Sequence, residues 1–342
     1  MSRLDCAALA AVVRAAKPRR RPLPFHVHPA DPTVNRLEAT AASVFMKDAA
    51  LFVPSGTMGN LCAVLALAGG RVGPLEAILG DESHILHYEV GGLSAVAGLS
   101  SRAVPTQADG SLALDNISAA VREDDVHYPR TAMVCLENSH NRRGGRVLSA
   151  EYCDDVGALC KERGLALHID GARIFNAAAR LGVPPARLAA AADTVSVCLS
   201  KGLGAPVGSV LVGSHGLIAA ARRFRKMLGG GMRQAGVIAA PGLLALTENS
   251  APEQLARDHR LAASLALALA AVPGLSIEHK VETNIVYASV GSAFQGSSSE
   301  LCEKLKSGGV LAGAYGTEQV RFVVHRQVPD DAVERVTGAL AT

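Results

Sequence analysis

Four clusters of small, polar and charged residues interrupt the apolar runs of this chain, and each could contact a ligand. Ser200-Lys201-Gly202-Leu203-Gly204 follows the apolar stretch TVSVCL, Thr194–Leu199. A lysine set among apolar and glycine-rich chain is destabilising unless it is deprotonated, paired or covalently bound. A desolvated lysine of lowered pKa is what Schiff-base formation with a carbonyl compound requires. Asp170-Gly171-Ala172-Arg173 follows ALHI. A carboxylate at a buried strand end could hold a ring nitrogen protonated, although Asp170 could equally cap a helix with Arg173 at the surface. Ser55-Gly56-Thr57-Met58-Gly59-Asn60 precedes a helix-like segment. Its hydroxyls and close backbone, with unpaired N–H groups at the helix start, suit a phosphate; an ordinary N-cap turn would use the same residues. The fourth cluster, Arg225 to Gln234, places three glycines between Lys226 and Arg233, which suits an anion or a solvated loop.

Two histidines stand in comparable places. His84 lies in DESHI, ahead of Glu89-Val90-Gly91-Gly92, and His140 lies in Glu137-Asn138-Ser139-His140-Asn141 after the run AMVCLE. A lone histidine is more often a satisfied core or surface group. Their position at strand ends beside the other clusters makes them candidates for acid–base work.

The elements that must position these residues alternate. Residues 36–48 carry apolar positions at helical spacing, and residues 49–54 are a short apolar run. Strands are expected at Ala132–Glu137, Ala166–Asp170, Thr194–Leu199 and Gly208–Gly213, each short, apolar and bounded by turn residues. Glu151–Gly164 reads as an amphipathic crossover helix ending in glycine. Strand, helix, strand in that order argues for βαβ units and a mostly parallel sheet, where ligands bind beyond the carboxyl ends of the strands. Asp170 and Lys201 are 31 residues apart, room for one helix and one return strand, which puts both at the same sheet edge. After about residue 240 the pattern becomes a long Ala/Leu-rich helix, the strands NIVYASV and VRFVVH and a final helix DDAVERVTGALA, read as a smaller α+β domain. The expected division is an atypical extension at 1–30, a large domain at 31–240 and a small domain at 241–342.

Composition narrows the partners. The 342 residues have a formal charge of +3 and contain no Trp, which gives no argument for a nucleic-acid or membrane-surface partner. No apolar run approaches the roughly 20 residues of a membrane span. The seven cysteines are scattered without a CxxC pair, so most are expected as small apolar core residues in a reducing compartment, with no metal site. The Ala-rich start followed by KPRRRPLP fits a poorly packed extension or a weak organellar transit peptide. The expected location is cytoplasmic, with an organelle as the alternative.

Taken together, PSGTMGNL, DESHI with EVGG, LENSHN, HIDGARIFNAA, CLSKGLGAPVGS and RKMLGGGMRQAG resemble, in order, the motifs of the threonine aldolase family, within the β-eliminating lyases of fold type I. The resemblance spans about residues 31–240, with a fainter match at VRFVVH. It implies an α/β, aspartate-aminotransferase-like fold and the cofactor pyridoxal 5′-phosphate (PLP). Lys201 would bear the cofactor, Asp170 would hold the ring nitrogen protonated, and His84 would stack on the ring. Ser55, Gly56, Thr57 and Ser200 would hold the phosphate. Lys226 and Arg233 would reach the phosphate of a neighbouring subunit, which implies a homotetramer built of dimers. Arg173 and Arg321 would bind the substrate carboxylate, and His140 would lie near the substrate hydroxyl. The implied reaction is retro-aldol cleavage of L-threonine or L-allo-threonine to glycine and an aldehyde, with His140, His84 or a water on either as base. Another PLP reaction, such as β-elimination or transamination, and a catalytically impaired PLP-binding homologue are the alternatives. One departure motivates the last. The family begins with SDTVT and carries DDVYGEDPT, of which Asp31-Pro32-Thr33 survives. Leu4 falls at the substrate-binding serine and His28 at the usual tyrosine, and a leucine cannot bind a carboxylate. Lower activity, or substitution by His26 or His28, is the expectation.

Overall fold

A computed structural model describes residues 31–69, 74–294 and 296–341. Leu4, His26, His28 and the rest of the expected N-terminal extension lie outside the described residues.

The chain opens with α1 (Pro32–Phe45), started by Asp31, whose carboxylate accepts the Thr33 N–H at 2.8 Å, and by Pro32 at the first helical position. Its apolar face, Leu37, Ala41 and Phe45, is buried. Then follow β1 (Ala49–Val53), α2 (Gly56–Leu67), β2 (Leu75–Gly80), the single turns α3 (His84–His87) and α4 (Gly92–Ala95), and β3 (Leu99–Val104). The large sheet is completed through α5 (Leu114–Ala120), β4 (Arg130–Glu137), α6 (Ala150–Glu162), β5 (Ala166–Asp170), α7 (Ile174–Leu181), α8 (Pro185–Ala189), β6 (Thr194–Cys198) and β7 (Ser209–Gly213). Its order is β1-β7-β6-β5-β4-β2-β3. Every pairing from β3 to β6 is parallel, and β7 runs antiparallel to both its neighbours. The expected mostly parallel sheet is thus observed. Central strands β5 and β6 are buried on both faces because helices cover both faces, with His168 and Asp170 on one face of β5 and Thr194 and Ser196 on one face of β6 as buried polar residues.

The carboxyl ends of β2, β4, β5 and β6 share one edge of this sheet, and β1 runs in the same direction. That edge carries DESHI, LENSH, DGAR, SKG and SGTMGN. Two helices, α7 and α8, occupy the interval between Asp170 and Lys201 where one was expected; the return strand β6 still restores both residues to one edge.

After α9 (His215–Met227), α10 (Gly236–Thr247) and the long α11 (Pro252–Ala270), a second sheet forms from β8 (Leu275–Ser276), β9 (Ile285–Val290), β10 (Gly313–Tyr315) and β11 (Gln319–Val323). It is antiparallel in the order β10-β11-β9-β8. With α11, α12 (Ser298–Ser307) and α13 (Ala332–Ala341) it encloses its own core around Leu269, Val286, Leu301, Val320 and Phe322. Five of the six described cysteines are buried, as expected of apolar filler.

Candidate active site

The loops at the carboxyl edge of the large sheet meet β10 and β11 of the small one around a cavity of about 630 Å³. Its walls carry His84, Arg173, Lys201 and Arg321, four of the residues singled out from sequence, together with Asn141 and Tyr315. Two further clefts, one along β3 and one beside the Arg142–Arg146 loop, share none of its lining residues.

Asp170, the last residue of β5, is 3% exposed and lies behind His84, with Oδ2 4.0 Å from Nδ1. His84 opens α3 directly after β2. Its backbone N–H donates to Glu137 Oε2 at 2.7 Å, while the Asn141 N–H donates to Glu137 Oε1 at 2.8 Å. Glu137, at the end of β4, therefore ties the loops after β2 and β4 together. Burial, reinforced by the Asp170 charge, pushes its pKa up to about 7. His84 Nδ1 lies 3.0 Å from Glu89 Oε1. That hydrogen bond raises the His84 pKa above the ordinary histidine value, and burial raises Glu89. Both shifts favour a proton held in the contact.

Helix α2 lies against the same strands because glycine stands where it touches them. A Cβ at Gly56 would come within 2.8 Å of Cys198 Sγ, and one at Gly59 within 2.5 Å of Ser196 Oγ. The approach brings Ser55 and the first turn of α2 to the end of β6, three residues before Lys201. Ser55 caps the helix, its Oγ accepting the Met58 N–H at 3.2 Å. The N–H groups of Gly56 and Thr57 precede the first intrahelical bond and point out of the helix start, an arrangement suited to a phosphate. Ser200 is exposed beside Lys201.

Facing this wall, Arg173 and Arg321 converge. Burial, then the neighbouring Arg321 charge, lowers the Arg173 pKa. Arg321 donates from Nη2 to Asn141 Oδ1 at 2.7 Å. Its register partner on β9 is Tyr287, whose hydroxyl lies beside the guanidinium. Arg321 Nε and the Tyr287 hydroxyl are buried without a hydrogen bond of good geometry. Two converging guanidiniums with spare donors fit a carboxylate. The mouth is bridged by Tyr88 and Tyr315, whose hydroxyls touch across the two sheets.

Of the expected site residues, His84, Arg173, Lys201 and Arg321 line the cavity and the others do not. His140 is 2% exposed, and Asn141 lines the cavity next to it. Burial pushes the His140 pKa down to about 4, so the ring is neutral. Lys226 in the last turn of α9 and Arg233 beyond it are exposed. Sequence reasoning assigned no role to Asn60, Glu89, Asn141, His168 or Tyr315. A period-2 reading of ALHID would have found His168, since it shares the β5 face of Asp170.

Fold and site together define a class, and a family model described as Beta-eliminating lyase matches residues 26–292; the chain belongs to that family. Its relatives narrow the class to the threonine aldolases. The chain is 50% identical over 309 residues to the probable low-specificity L-threonine aldolase 2 of Arabidopsis thaliana, covering 90% of this chain and 86% of that one. It is 40% identical over 317 residues to the low specificity L-threonine aldolase of Escherichia coli O157:H7, covering 93% and 91%. A solved structure of Leishmania major threonine aldolase shares the fold, with a TM-score of 0.77 at 21% identity over 91% of this chain and 89% of that chain.

Proposed function

We propose that this chain cleaves L-threonine and L-allo-threonine to glycine and acetaldehyde with PLP bound at Lys201. The observation that carries this reading is the convergence, on one cavity, of Lys201, His84 backed by Glu89, and the Arg173–Arg321 pair.

The residues fit the cofactor. Glycine at 56 lets the first turn of α2 reach the end of β6, its first N–H groups suit the phosphate, and Asp170 offers a buried carboxylate to the ring nitrogen. When bound, PLP supplies an electron sink for the pair released as the Cα–Cβ bond breaks. The protein does the rest. Arg173 and Arg321 clamp the substrate carboxylate, the planar forks fixing its orientation. His84 takes the β-hydroxyl proton. With Nδ1–H donated to Glu89, its Nε2 keeps a lone pair, and the carboxylate strengthens it as a base. His140, buried and away from the cavity lining, positions the Asn141 loop. The exposed Lys226 and Arg233 are free to reach a neighbouring subunit's phosphate, which supports a homotetramer with shared sites.

The test is acetaldehyde release by PLP-reconstituted protein given L-threonine, L-allo-threonine and their D-isomers separately. Release from the L-isomers is expected, and their ratio gives the stereochemical preference at Cβ. PLP bound with no release from any isomer would overturn the aldolase assignment and favour the impaired homologue.

A further inference from the structure

Behind the cofactor wall, Glu89 and Asp170 are joined by a chain of buried polar groups, Asn60, His168 and Thr194, to which the reaction above assigns no work. Asn60, Glu89, His168, Asp170 and Thr194 are 2%, 6%, 0%, 3% and 0% exposed. Asn60 Nδ2 stands 2.8 Å from Glu89 Oε1 and 2.9 Å from Asp170 Oδ2. Asn60 Oδ1 stands 3.1 Å from His168 Nε2, and His168 Nδ1 stands 2.8 Å from Thr194 Oγ1. The fold dictates the meeting. His168 and Asp170 share a face of β5, Thr194 is the register partner of His168 on β6, and Gly59 lets α2 close on β6 so that the next residue, Asn60, reaches between them.

Donor and acceptor chemistry gives this chain one direction. A carboxamide has two N–H groups on one side and an acceptor on the other. Two carboxylates facing it admit only the N–H side. The Asn60 oxygen must then receive a donor, so His168 carries its proton on Nε2. Burial keeps His168 neutral, its pKa pushed down to about 4, so Nδ1 has a lone pair and accepts the Thr194 hydroxyl. Every donor thus points toward the two carboxylates. The amide protons are not acidic, so Asn60 joins the two acids without letting a proton pass between them.

We propose that Asn60 is a positioning residue that orients two buried carboxylates for separate tasks, Glu89 for His84 and Asp170 for the cofactor ring nitrogen, with Thr194 and His168 fixing its orientation. The assignment of Asp170 rests on the PLP reading above; the tautomer and the amide orientation do not. A bland alternative is a satisfied core histidine whose removal merely loosens packing.

The experiment has two arms. Selective 15N labelling of histidine reads the His168 tautomer in the unmodified chain, with and without PLP, and Nε2–H is expected in both. An Nδ1–H tautomer would reverse the amide and overturn the proposal whatever the chain catalyses. The second arm measures dissociation constants for PLP and for a carbon analogue with no ring nitrogen, in Asn60→Ala, Thr194→Val and Thr194→Ser. Asn60→Ala should weaken PLP by about 10–100-fold, in line with losses of outer-shell partners elsewhere, and leave the analogue unchanged. Thr194→Val should show the same selectivity more weakly, and Thr194→Ser should restore it. Equal losses for both ligands, or none for PLP, would reduce the network to packing and sink the proposal. Should Asn60→Ala not fold, the threonine pair carries the comparison. If PLP does not bind the unmodified chain, the cofactor reading fails and takes the Asp170 task with it, while the tautomer still decides the hydrogen-bond chain.

Discussion

The two walls of the cavity are built on opposite terms. The wall under Lys201 and His84 rests on β5, β6 and α2, and none of the buried side-chain nitrogens or oxygens of Asn60, Glu89, His168 or Asp170 lacks a partner. The wall from the small sheet carries Arg321 and Tyr287, each with a buried polar atom that makes no good hydrogen bond. An unpaired buried donor costs about 1–3 kcal/mol. Such a cost is sustained where a ligand comes and goes and supplies the missing acceptor. The difference fits a resident cofactor on one side, held by a finished network, and a transient amino acid on the other. It also places rigidity in the centre of a parallel sheet and adjustability in β10, a three-residue edge strand joined to the large domain by the Tyr88–Tyr315 contact.

Changes on the finished wall should act on cofactor and chemistry, and changes on the open wall on substrate. Lys201→Ala should lower turnover by a factor on the order of 10⁴ or more with circular dichroism unchanged; activity within tenfold of the parent would remove lysine from the mechanism. His84→Asn should lower kcat by about 10²–10⁴-fold. The pH profile adds a sign. His84 must be unprotonated to act, and Glu89 holds its pKa above 6.5, so the parent rate should rise with pH through that raised value. His140, with a pKa of about 4, is neutral throughout and contributes no such limb. Persistence of the acid limb in His84→Asn would transfer the base to another group. Arg321→Lys keeps the charge but loses the fork, and should raise KM for threonine about 10–100-fold with a smaller effect on kcat. A matching loss of PLP affinity would contradict the division between walls. Tyr315→Ala should have the smallest effect on threonine, a few-fold, while improving the relative kcat/KM for a bulky β-hydroxy amino acid such as phenylserine; an unchanged ratio would show that the Tyr88–Tyr315 bridge does not bound the pocket.

The reacting groups on both walls were legible in the sequence, and the network of Asn60, Glu89 and His168 that supports one of them was not. Asp170, Lys201 and His84 each sit at the end of an apolar strand or beside a glycine turn, and α/β topology sends such ends to one edge. The motif resemblance added Arg321, which a strand pattern alone would have left as one more charged residue. The direction of β7 was not legible, because a buried strand carries the same apolar pattern whichever way it runs. Strand β3 went unseen since its edge position leaves LSSRAV half polar. Asn141 and Tyr315 gain their roles only where the two sheets meet. Tyr315 is 227 residues from the Tyr88 it touches, and no local spacing encodes that. His140 looked equivalent to His84 in sequence; the difference is depth, and depth is a property of the folded chain.

The most direct test of the central claim is to load the chain with PLP, reduce it with borohydride and map the modified peptide by mass spectrometry. The label is expected on Lys201. A label on another lysine, or none with PLP bound, would contradict it.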